Sequence, residues 1–529
     1  MYGNLLYGTG RPPFPPSAAV HGAASGKHML EPMMNGMEES DPSTVPTKPA
    51  NKTGEPAAEP VEGRDGAKRN AGLQSTSRTQ SREIVSPAQA RIREAVTRNK
   101  KEKLTALLHH ITVNSLRRVF FNLKKNAAPG IDGMTWEQYG EELERNLIDL
   151  HRRVHAGTYR AQPSRRTYIP KPDGRQRPLG IAALEDKLVQ GAVVAVLTPV
   201  YEAEFLGFSY GFRPTRNQHQ ALDALYVGIT RRKVNWILDA DIARFFEAIS
   251  HQWLVRFIEH RIGDRRIIRL IQKWLKAGVM EDGWKLDTDE GTPQGAVISP
   301  LLANIYLHYA LDLWAAQWRR RHATGDVIIV RYADDSITGF QHRQDGERFL
   351  LDLKERLARF ALSLHPDKTR LIEFGRFAAA SRGRRDEGRP ETFDFLGFTH
   401  FCDRRRKNGS FVIGRQTKRS SRLATLRRIK EQLRIRMNMS INNNGQWLGA
   451  VLRGHYAYFG VPRNYRALQF FYDEVTRLWF KRLRRRGQRR RLSWEKMRTC
   501  IKPRYLPPPR IVHPWPSERF DVRGLVSPT

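Results

Sequence analysis

The stretch of residues 327–340 constrains the fold of this chain more than any other part of its sequence. It reads VIIVRYADDSITGF, so β-branched residues lead into two adjacent carboxylates and a strand-like pattern resumes after them. This pattern predicts a β-hairpin with Asp334 and Asp335 at its tip. Arg331 is the only neighbour in sequence that could balance their repulsion, which indicates a bound cation. Oxygen ligands with open positions suit Mg²⁺ held jointly by protein and substrate phosphates. The alternative is an ordinary polar turn, because aspartate is common in turns.

The charge of the chain predicts a polyanionic partner. Lysine and arginine number 91 against 54 aspartate and glutamate residues, a formal net charge of +37 in 529 residues. Nucleic acid is the first candidate and an anionic membrane the second. No apolar run is long enough to span a bilayer, which argues against a membrane partner.

The cysteine content argues against a disulfide framework and a zinc site. The two cysteines, Cys402 and Cys500, are far apart and form no Cys-x-x-Cys motif. We therefore expect the protein to work in a reducing compartment. Because the N-terminus also lacks the apolar core of a signal peptide, we expect a cytoplasmic protein.

The first part of the chain is expected to contain little structure. Residues 1–85 are rich in proline, glycine and serine without periodicity, which is typical of a disordered tail. Order should begin near Ser86. We predict a basic helix over residues 91–110 and a second helix that Ser115 caps. Turn signals in residues 126–135 predict a structured loop.

Residues 168–181 predict a basic hairpin with its turn at Asp173 and Gly174. Lys171, Arg175 and Arg177 line its arms, and cations on a rigid hairpin are suited to gripping a triphosphate. The alternative is a solvated basic hairpin without a ligand.

Two more stretches place candidate site residues at the ends of regular elements. An apolar strand from Val234 leads to Asp239 and Asp241, and Ser250 can cap the helix that follows. A carboxylate at a strand end can join an active site, although one of the two could simply face water. In residues 291–306 a loop rich in glycine and proline opens a helix near Ser299. Such a loop allows another backbone or a base to approach, or it is a plain junction.

The middle of the chain predicts an α+β fold. An amphipathic helix over residues 349–360 follows the hairpin, a turn and strand follow over 362–371, and residues 393–398 form a short apolar strand pair or turn. The order of strand, helix, hairpin, helix and strand fits an antiparallel sheet flanked by helices.

Beyond residue 414 the sequence predicts helices with aromatic cores and basic outer faces, over residues 418–436, 447–459 and 467–483. A dense basic run then follows, consisting of Lys481, Arg482, Arg484, Arg485, Arg486, Arg489, Arg490 and Arg491. Such a run is usually a solvated face. In a chain of this charge we favour phosphate contact and therefore RNA binding.

Taken in order, these stretches resemble the reverse transcriptases of the group II intron-encoded kind. The strand with Asp241, the loop at 291–295, the Tyr-Ala-Asp-Asp hairpin, residues 362–371 and residues 393–398 are similar to successive palm blocks of that family. Residues 126–135 resemble its block ahead of the fingers, and 168–181 its fingers hairpin. Residues 454–460, GHYAYFG, resemble its maturase domain.

The resemblance implies a right-hand polymerase with fingers, an antiparallel-sheet palm and a helical thumb. It implies two Mg²⁺ ions on Asp241, Asp334 and Asp335. It further implies a dNTP-binding set of Lys171, Arg177, Phe246, Gln294, Gly295 and Lys368. Phe246 would exclude a ribose 2′-hydroxyl. Lys171 and Arg177 would hold the triphosphate, Gln294 and Gly295 would pack near the new base pair, and Lys368 matches a basic residue of the next block.

The implied organisation is an N-terminal extension and fingers over 86–232, a palm over 233–405 with fingers and palm elements interleaved, a thumb or maturase domain over 414–500, and a short tail over 501–529. Many relatives carry a nuclease with cysteine pairs after the maturase domain. No such cluster follows here, so the chain resembles endonuclease-less members and would extend a pre-existing DNA 3′ end.

The implied activity is RNA-directed DNA synthesis together with assisted splicing of a host group II intron. The partners would be that intron RNA, a DNA target or primer, and dNTPs, without membrane or zinc. The resemblance also implies a bacterial protein that associates with the nucleoid or with a ribonucleoprotein particle. Two alternatives stay open: an RNA-binding splicing factor whose polymerase is unused, and a reverse transcriptase of a bacterial defence or CRISPR system.

Overall fold

The computed structural model of the chain describes residues 87–98, 102–170, 176–281, 283–286, 290–292, 294–486 and 492–516. All of these residues belong to one compact unit, Ser40–Thr529. The tail predicted over residues 1–85 lies outside the described residues, as does the turn predicted at Asp173 and Gly174.

The N-terminal part of the described chain is mostly helical. Its helices are α1 Pro87–Arg98, α2 Val113–Asn122, α3 Trp136–Glu141, α4 Leu143–His155, α5 Leu184–Glu202 and α6 Gln218–Arg231. The prediction of one helix over residues 91–110 is wrong for residues 102–107, which are described and not helical. Leu104 instead pairs its backbone with Arg261 and Gly263, which commits its N–H and C=O to a β-bridge.

The predicted cap of the second helix is also wrong. Thr112 caps α2, and its side chain accepts a hydrogen bond from the Ser115 backbone N–H. The Ser115 hydroxyl accepts one in return from the Thr112 backbone N–H, so the two residues form a reciprocal capping box.

The described strands form three sheets. They are β1 Ser164–Pro170, β2 Gln176–Ile181, β3 Trp236–Asp241, β4 Val279–Glu281, β5 Trp284–Leu286, β6 Val327–Tyr332, β7 Asp335–Phe340, β8 Arg370–Glu373, β9 Phe393–Phe395, β10 Phe398–Arg404 and β11 Phe411–Thr417. The strand orders are β2-β1-β4-β5, β6-β7-β3-β8 and β11-β10-β9. Only the β1–β4 pairing among them is parallel. The predicted α+β class with antiparallel sheets is confirmed.

Helices connect and cover these sheets. They are α7 Phe245–Ala248, α8 His251–Arg261, α9 Arg265–Lys276, α10 Ser299–Leu307, α11 Leu313–Arg321, α12 Arg343–Ala358 and α13 Ala378–Arg384. The predicted cap of α8 is confirmed, since the Ser250 hydroxyl accepts from the Trp253 N–H at 3.4 Å. The predicted start of α10 at Ser299 is confirmed as well.

The sheet β6-β7-β3-β8, called the carboxylate sheet below, presents its two faces to different surroundings. Side chains alternate along β3, so Trp236, Leu238 and Ala240 share one face while Asp239 and Asp241 share the other. The first face packs on α12, where Phe349 meets Phe340 at a ring distance of 5.4 Å. The second face is covered by α6 and by β9–β11 away from the strand ends. The carboxylates therefore lie on the face opposite α12.

Helices dominate again after β11. They are α14 Arg419–Ile435, α15 Ile441–Phe459, α16 Tyr465–Arg484, α17 Trp494–Lys496 and α18 Lys502–Tyr505. A shared core of Leu452, Phe471 and Trp479 binds them together. The three predicted helices are confirmed, except that α15 starts earlier because Ser440 caps it.

No helix in the described part of the chain is both long enough and apolar enough to cross a lipid bilayer.

Candidate active site

The predicted hairpin carries its carboxylates next to a third one. β6 and β7 pair antiparallel with Tyr332 opposite Asp335, and Ala333 and Asp334 form the two-residue turn between them. On the other side of β7, Asp335 stands opposite Asp241 of β3. Directly paired residues share a face of a sheet. Tyr332, Asp335 and Asp241 therefore form one row across three strands, with Asp334 at its rim.

Arg331 stabilises this turn from below. Its side chain is only 1% exposed and forms two hydrogen bonds with the carboxylate of Asp312, at 2.7 and 2.6 Å. The same guanidinium donates to the Ala333 carbonyl at 2.8 Å and to the Asn304 side chain at 3.1 Å. The one cation that is close to Asp334 and Asp335 in sequence is therefore paired with another carboxylate, that of Asp312.

The turn also packs tightly against the backbone of Gly211. A Cβ atom added at Gly211 would lie 2.3 Å from the Ala333 backbone nitrogen, which leaves no room for any side chain. The Asn304 amide donates to the Gly211 carbonyl at 2.7 Å and so links this segment to α10. Ala333 itself has a φ of +57°, as the tight hairpin turn demands.

The cation nearest to the acidic row is Lys368. Its ammonium donates to the Asp241 carboxylate at 2.7 Å. A backbone bond of 2.7 Å from the His365 N–H to the Asp241 carbonyl fixes the turn that carries the lysine. The placement of Lys368 in the turn before β8 agrees with the predicted turn and strand over residues 362–371.

The acidic groups shift one another's protonation. Asp335 is exposed at the tip, yet the surrounding protein removes much of its water. This desolvation, and then the charges of Asp334 and Asp241, raise the pKa of Asp335 to about 7. Desolvation also raises the pKa of Asp334, while the positive charge of Arg177 acts in the opposite direction.

Asp239 occupies a different environment from Asp241. It lies on the same face, between Ile337 of β7 and Arg370 of β8. Its side chain is half-buried, and this burial raises its pKa to about 6. Asp239 therefore does not face open water, and it stands one pair away from the row at the strand ends.

The carboxylates at the hairpin tip can bind a divalent ion only after the Lys368 ammonium leaves Asp241. Among the described residues, no three histidine, cysteine, aspartate or glutamate side chains already converge as a metal cluster. The Asp241 carboxylate holds the Lys368 ammonium, a cation at the position where a metal would bind. Three hard carboxylate ligands on adjacent strand ends fit Mg²⁺ once Asp241 turns from that lysine.

Phe246 lies on the short helix α7 that follows β3. The loop at Gly291 and Thr292 packs against it, since the Thr292 N–H donates to the Phe246 carbonyl at 2.8 Å. A Cβ at Gly291 would lie 2.9 Å from the Glu247 carbonyl oxygen, and Gly291 has a φ of +84°. The predicted close approach of another backbone to this loop is thus observed, and the side chain of Phe246 stays half-buried.

The basic hairpin contacts the same loop. The Arg177 Nε donates to the Gln294 side-chain oxygen at 2.8 Å, and the Gly180 N–H donates to the Gln294 carbonyl at 2.7 Å. Gly295 has a φ of +108° and approaches the Gly180 carbonyl so closely that a Cβ would lie 2.9 Å from it. Arg177, Gln294 and Gly295 are therefore brought together. Lys171 lies outside the described residues.

The basic run is described only in its first part. Lys481, Arg482 and Arg484 belong to the last turn of α16, and Arg485 and Arg486 follow it. All but the half-buried Arg482 are exposed. Arg489, Arg490 and Arg491 lie outside the described residues. The described part is far from the hairpin in sequence and belongs to the C-terminal helices, not to the acidic row.

Sequence reasoning missed the residues that hold the turn in place. Asn304 and Asp312 are buried polar side chains in otherwise apolar helical segments, and both bond to Arg331. Polar residues within an apolar helical run are a signal that could have identified them, because a buried polar group needs a partner. Gly211 carried no comparable signal.

Comparisons with known proteins agree with this arrangement. Residues 169–400 match the reverse transcriptase (RNA-dependent DNA polymerase) family. The chain is 34% identical over 232 residues to protein YkfC of Escherichia coli K12, which covers 42% of this chain and 61% of that protein. It is 32% identical over 310 residues to the group II intron-encoded protein LtrA of Lactococcus lactis, which covers 56% of this chain and 50% of that protein.

The chain is also similar to a fungal protein over a shorter stretch. Over 147 residues the chain is 43% identical to an uncharacterized 91 kDa protein in the cob intron of Schizosaccharomyces pombe, covering 28% of this chain and 18% of that protein. The chain spans about half to three fifths of the length of the first two relatives. The residues matched to the reverse transcriptase family include Asp241, Asp334 and Asp335, and the relatives that the chain resembles include a group II intron-encoded protein.

Proposed function

We propose that this protein is an RNA-directed DNA polymerase that also assists the splicing of a host group II intron RNA and copies that RNA into DNA. The observation that carries the proposal is the row of Asp241 and Asp335 across β3 and β7, with Asp334 in the adjoining turn. Reverse transcriptases use divalent metal ions, and this row supplies ligands of the right kind.

The three aspartates would hold two Mg²⁺ ions. Bound there, the ions would lower the pKa of the primer 3′-hydroxyl and neutralise charge on the leaving pyrophosphate. The residues of this chain contribute the geometry, since hydrogen bonding of Arg331 to Ala333 and Asp312 fixes the turn that carries Asp334. A rigid turn keeps the carboxylates in place while substrates exchange.

Two cations are placed to neutralise the triphosphate. Lys368 would release Asp241 when a metal binds and would then be free to contact phosphate oxygens. The positive charge of Arg177 opposes the rise in the pKa of Asp334 that desolvation causes, which supports a position of its guanidinium beside the same cleft. Lys171 remains part of the proposed dNTP-binding set by its resemblance to the family.

Phe246, Gln294 and Gly295 would shape the nucleotide pocket. The Gln294–Arg177 hydrogen bond joins the basic hairpin to the loop before α10. The Phe246 backbone supports that loop through Thr292. The Phe246 ring would select dNTPs by excluding a ribose 2′-hydroxyl.

Two of the sheets and the C-terminal helices would correspond to the parts of a right-hand polymerase. We assign the sheet β2-β1-β4-β5 to the fingers, the carboxylate sheet to the palm, and α14–α16 to the thumb or maturase domain. The proposed boundaries stay at residues 86–232 for the N-terminal extension and fingers, 233–405 for the palm and 414–500 for the thumb or maturase domain. Fingers elements are interleaved within the palm range, since β4 and β5 fall there.

The RNA partner follows from charge and from the relatives. The formal net charge is +37, and the exposed cations of α14 and of the end of α16 extend the basic surface beyond the acidic row. Because LtrA is described as group II intron-encoded, a group II intron RNA is the partner that we propose. Binding should weaken steeply with salt, since each phosphate contact releases counterions. A flat salt response would argue against RNA contact by residues 481–491.

One experiment separates the two proposed activities. Substituting Asp334→Asn together with Asp335→Asn should reduce DNA synthesis on an RNA template by roughly a hundred-fold or more, because the metal ligands are lost. Assistance of intron splicing should survive, since these carboxylates are not proposed to act in it. If the purified wild-type protein promotes splicing but extends no primer, the alternative of a splicing factor is correct. Finding neither splicing nor intron binding would favour a reverse transcriptase of another system.

A further inference from the structure

Phe212 stands exposed beside the tip of the carboxylate hairpin. Its side chain is 53% exposed, and its ring lies 6.4 Å from the ring of Tyr332 at an angle of 45°. Its φ is +56°, a left-handed conformation that large side chains rarely adopt. The chain thus accepts two unfavourable features at one position, an aromatic ring in water and a strained backbone. Such strain is found preferentially at functional sites.

The neighbours of Phe212 hold it in this conformation. Gly211 is wedged against Ala333, and its carbonyl accepts from the Asn304 amide at 2.7 Å. On the other side, the buried Arg213 guanidinium bonds to both carboxylate oxygens of Glu202 and to the Ser209 carbonyl at 2.8 Å. The ring is therefore presented from a rigid support that is fixed to the catalytic turn.

The strand order sets the distance from Asp241 to the segment of residues 208–210, which lies directly before Gly211 and Phe212. Residues 208–210 run beside β6, with the Tyr210 N–H bonded to the Arg331 carbonyl. From Asp241 across Asp335 and Tyr332 to this segment there are three strand-to-strand steps of about 4.8 Å, or about 14 Å in all. This is comparable with the width of a nucleic-acid base pair. If the primer ends at Asp241 and Asp335, as the proposed function requires, a base pair that spans the sheet towards Phe212 would bring its template nucleotide to this side.

We propose that Phe212 is a stacking site for a nucleotide of the RNA template strand close to the primer end. This inference rests on the proposed polymerase function, which fixes where the primer ends. Every base offers a π-face, so an aromatic platform holds the template without selecting its sequence, as a copying enzyme requires.

The test uses the full chain and a DNA primer annealed to an RNA template with a single-stranded 5′ extension. Asn tolerates the left-handed conformation but has no ring, so Phe212→Asn should leave the melting temperature unchanged or raise it. Affinity for the primer–template should fall about 5- to 100-fold, the range of one lost base stack. Phe212→Trp should retain wild-type affinity. Leu351→Asn is the matched control, because Leu351 is 62% exposed on α12, which packs on the opposite face of the sheet.

Fluorescence of 2-aminopurine identifies the base that stacks on the Phe212 ring, because stacking quenches the fluorescence of this base. Placed in the template strand beside the primer end, it should be quenched by wild type and less by Phe212→Asn. A 2-aminopurine at the primer end should be quenched equally by wild type and by Phe212→Asn. Unchanged affinity of Phe212→Asn, a melting temperature that falls by several degrees, or a change confined to the primer probe would each overturn the inference. Binding and quenching need no extension, so a wild-type protein that stacks the template but fails to extend contradicts only the polymerase.

Discussion

The Lys368 ammonium donates a hydrogen bond of 2.7 Å to the Asp241 carboxylate, at the end of the strand where a metal would have to bind. The same lysine is proposed to contact the incoming triphosphate. A metal ion and the ammonium would compete for the Asp241 carboxylate, because two positive charges repel each other at so short a distance. The pair therefore couples metal binding to the release of a phosphate-binding cation.

Substituting Lys368→Met should separate these two effects. Without the competing ammonium, the Mg²⁺ concentration for half-maximal activity should fall. The KM for dNTPs should rise, because a phosphate contact is lost. The stability should change by no more than about 1 kcal/mol, since both side chains are partly exposed.

A steady-state titration of Mg²⁺ and of dNTPs, alongside thermal unfolding, measures all three quantities. Lys502→Met is a suitable control, because Lys502 pairs with Asp473 at 4.0 Å on the C-terminal helices. An increase in the Mg²⁺ requirement of Lys368→Met would contradict the competition.

The raised pKa of Asp335 predicts how stability depends on pH and metal. Its pKa is about 7 in the folded chain against an ordinary value of 3.8. Between about pH 4 and 7 the metal-free folded chain therefore binds more protons than the unfolded chain. The contribution of Asp335 to the free energy of unfolding therefore falls as the pH rises from about 4 to 7. Mg²⁺ binds the ionised carboxylates and should stabilise the protein more at pH 8 than at pH 5.5.

The comparison requires melting temperatures with and without Mg²⁺ at the two pH values. In Asp335→Asn the difference between the two shifts should shrink. A magnesium shift of equal size at pH 5.5 and pH 8 in the wild type would show that protons and metal do not compete at this site.

The buried pair of Arg331 and Asp312 should dominate the stability of the hairpin. Both side chains are at most 1% exposed. Removing one partner leaves an unpaired buried charge, so Arg331→Met should destabilise the protein by about 3–5 kcal/mol in urea unfolding. The exposed Arg434–Glu431 pair is the control, and Arg434→Met should change stability by about 0–1 kcal/mol. Similar losses for the two variants would mean that Arg331 does not anchor the turn.

Gly211 should tolerate no side chain. In Gly211→Ala the new Cβ would meet the Ala333 backbone nitrogen, so either the catalytic turn or the segment before Phe212 must move. Primer extension should fall at least about ten-fold, as expected when reacting groups are displaced by a fraction of an ångström or more. Gly383→Ala on α13 meets no atom within 4 Å and should leave extension unchanged. Full activity of Gly211→Ala would indicate that the turn position is not critical.

The elements of the site were predictable wherever a local pattern specifies them. The β-branched run before Tyr332 and the adjacent aspartates predict the hairpin, and the apolar strand before Asp239 predicts its partner. The pairing of β7 with β3, which brings Asp335 opposite Asp241, is a contact between residues 94 positions apart. Only the resemblance to a family pointed to it.

The errors arose where a distant partner overrides local preference. Leu104 carries a helical pattern, yet its backbone pairs with Arg261 and Gly263. Arg331 is close to Asp334 in sequence, yet it bonds to Asp312, a buried carboxylate on a different element. Neither partner is visible in the local sequence, because each contact depends on how the segments pack.

The most direct test of the proposed active site compares two aspartates of one strand. Asp241 and Asp239 lie on the same face of β3, but only Asp241 stands opposite Asp335. Primer extension on an RNA template with Mg²⁺ and dNTPs should be reduced roughly a hundred-fold or more in Asp241→Asn. It should stay within about ten-fold of wild type in Asp239→Asn, with RNA binding unchanged in both. Equal losses in the two variants, or extension by Asp241→Asn at the wild-type rate, would contradict the assignment of the acidic row as the catalytic centre.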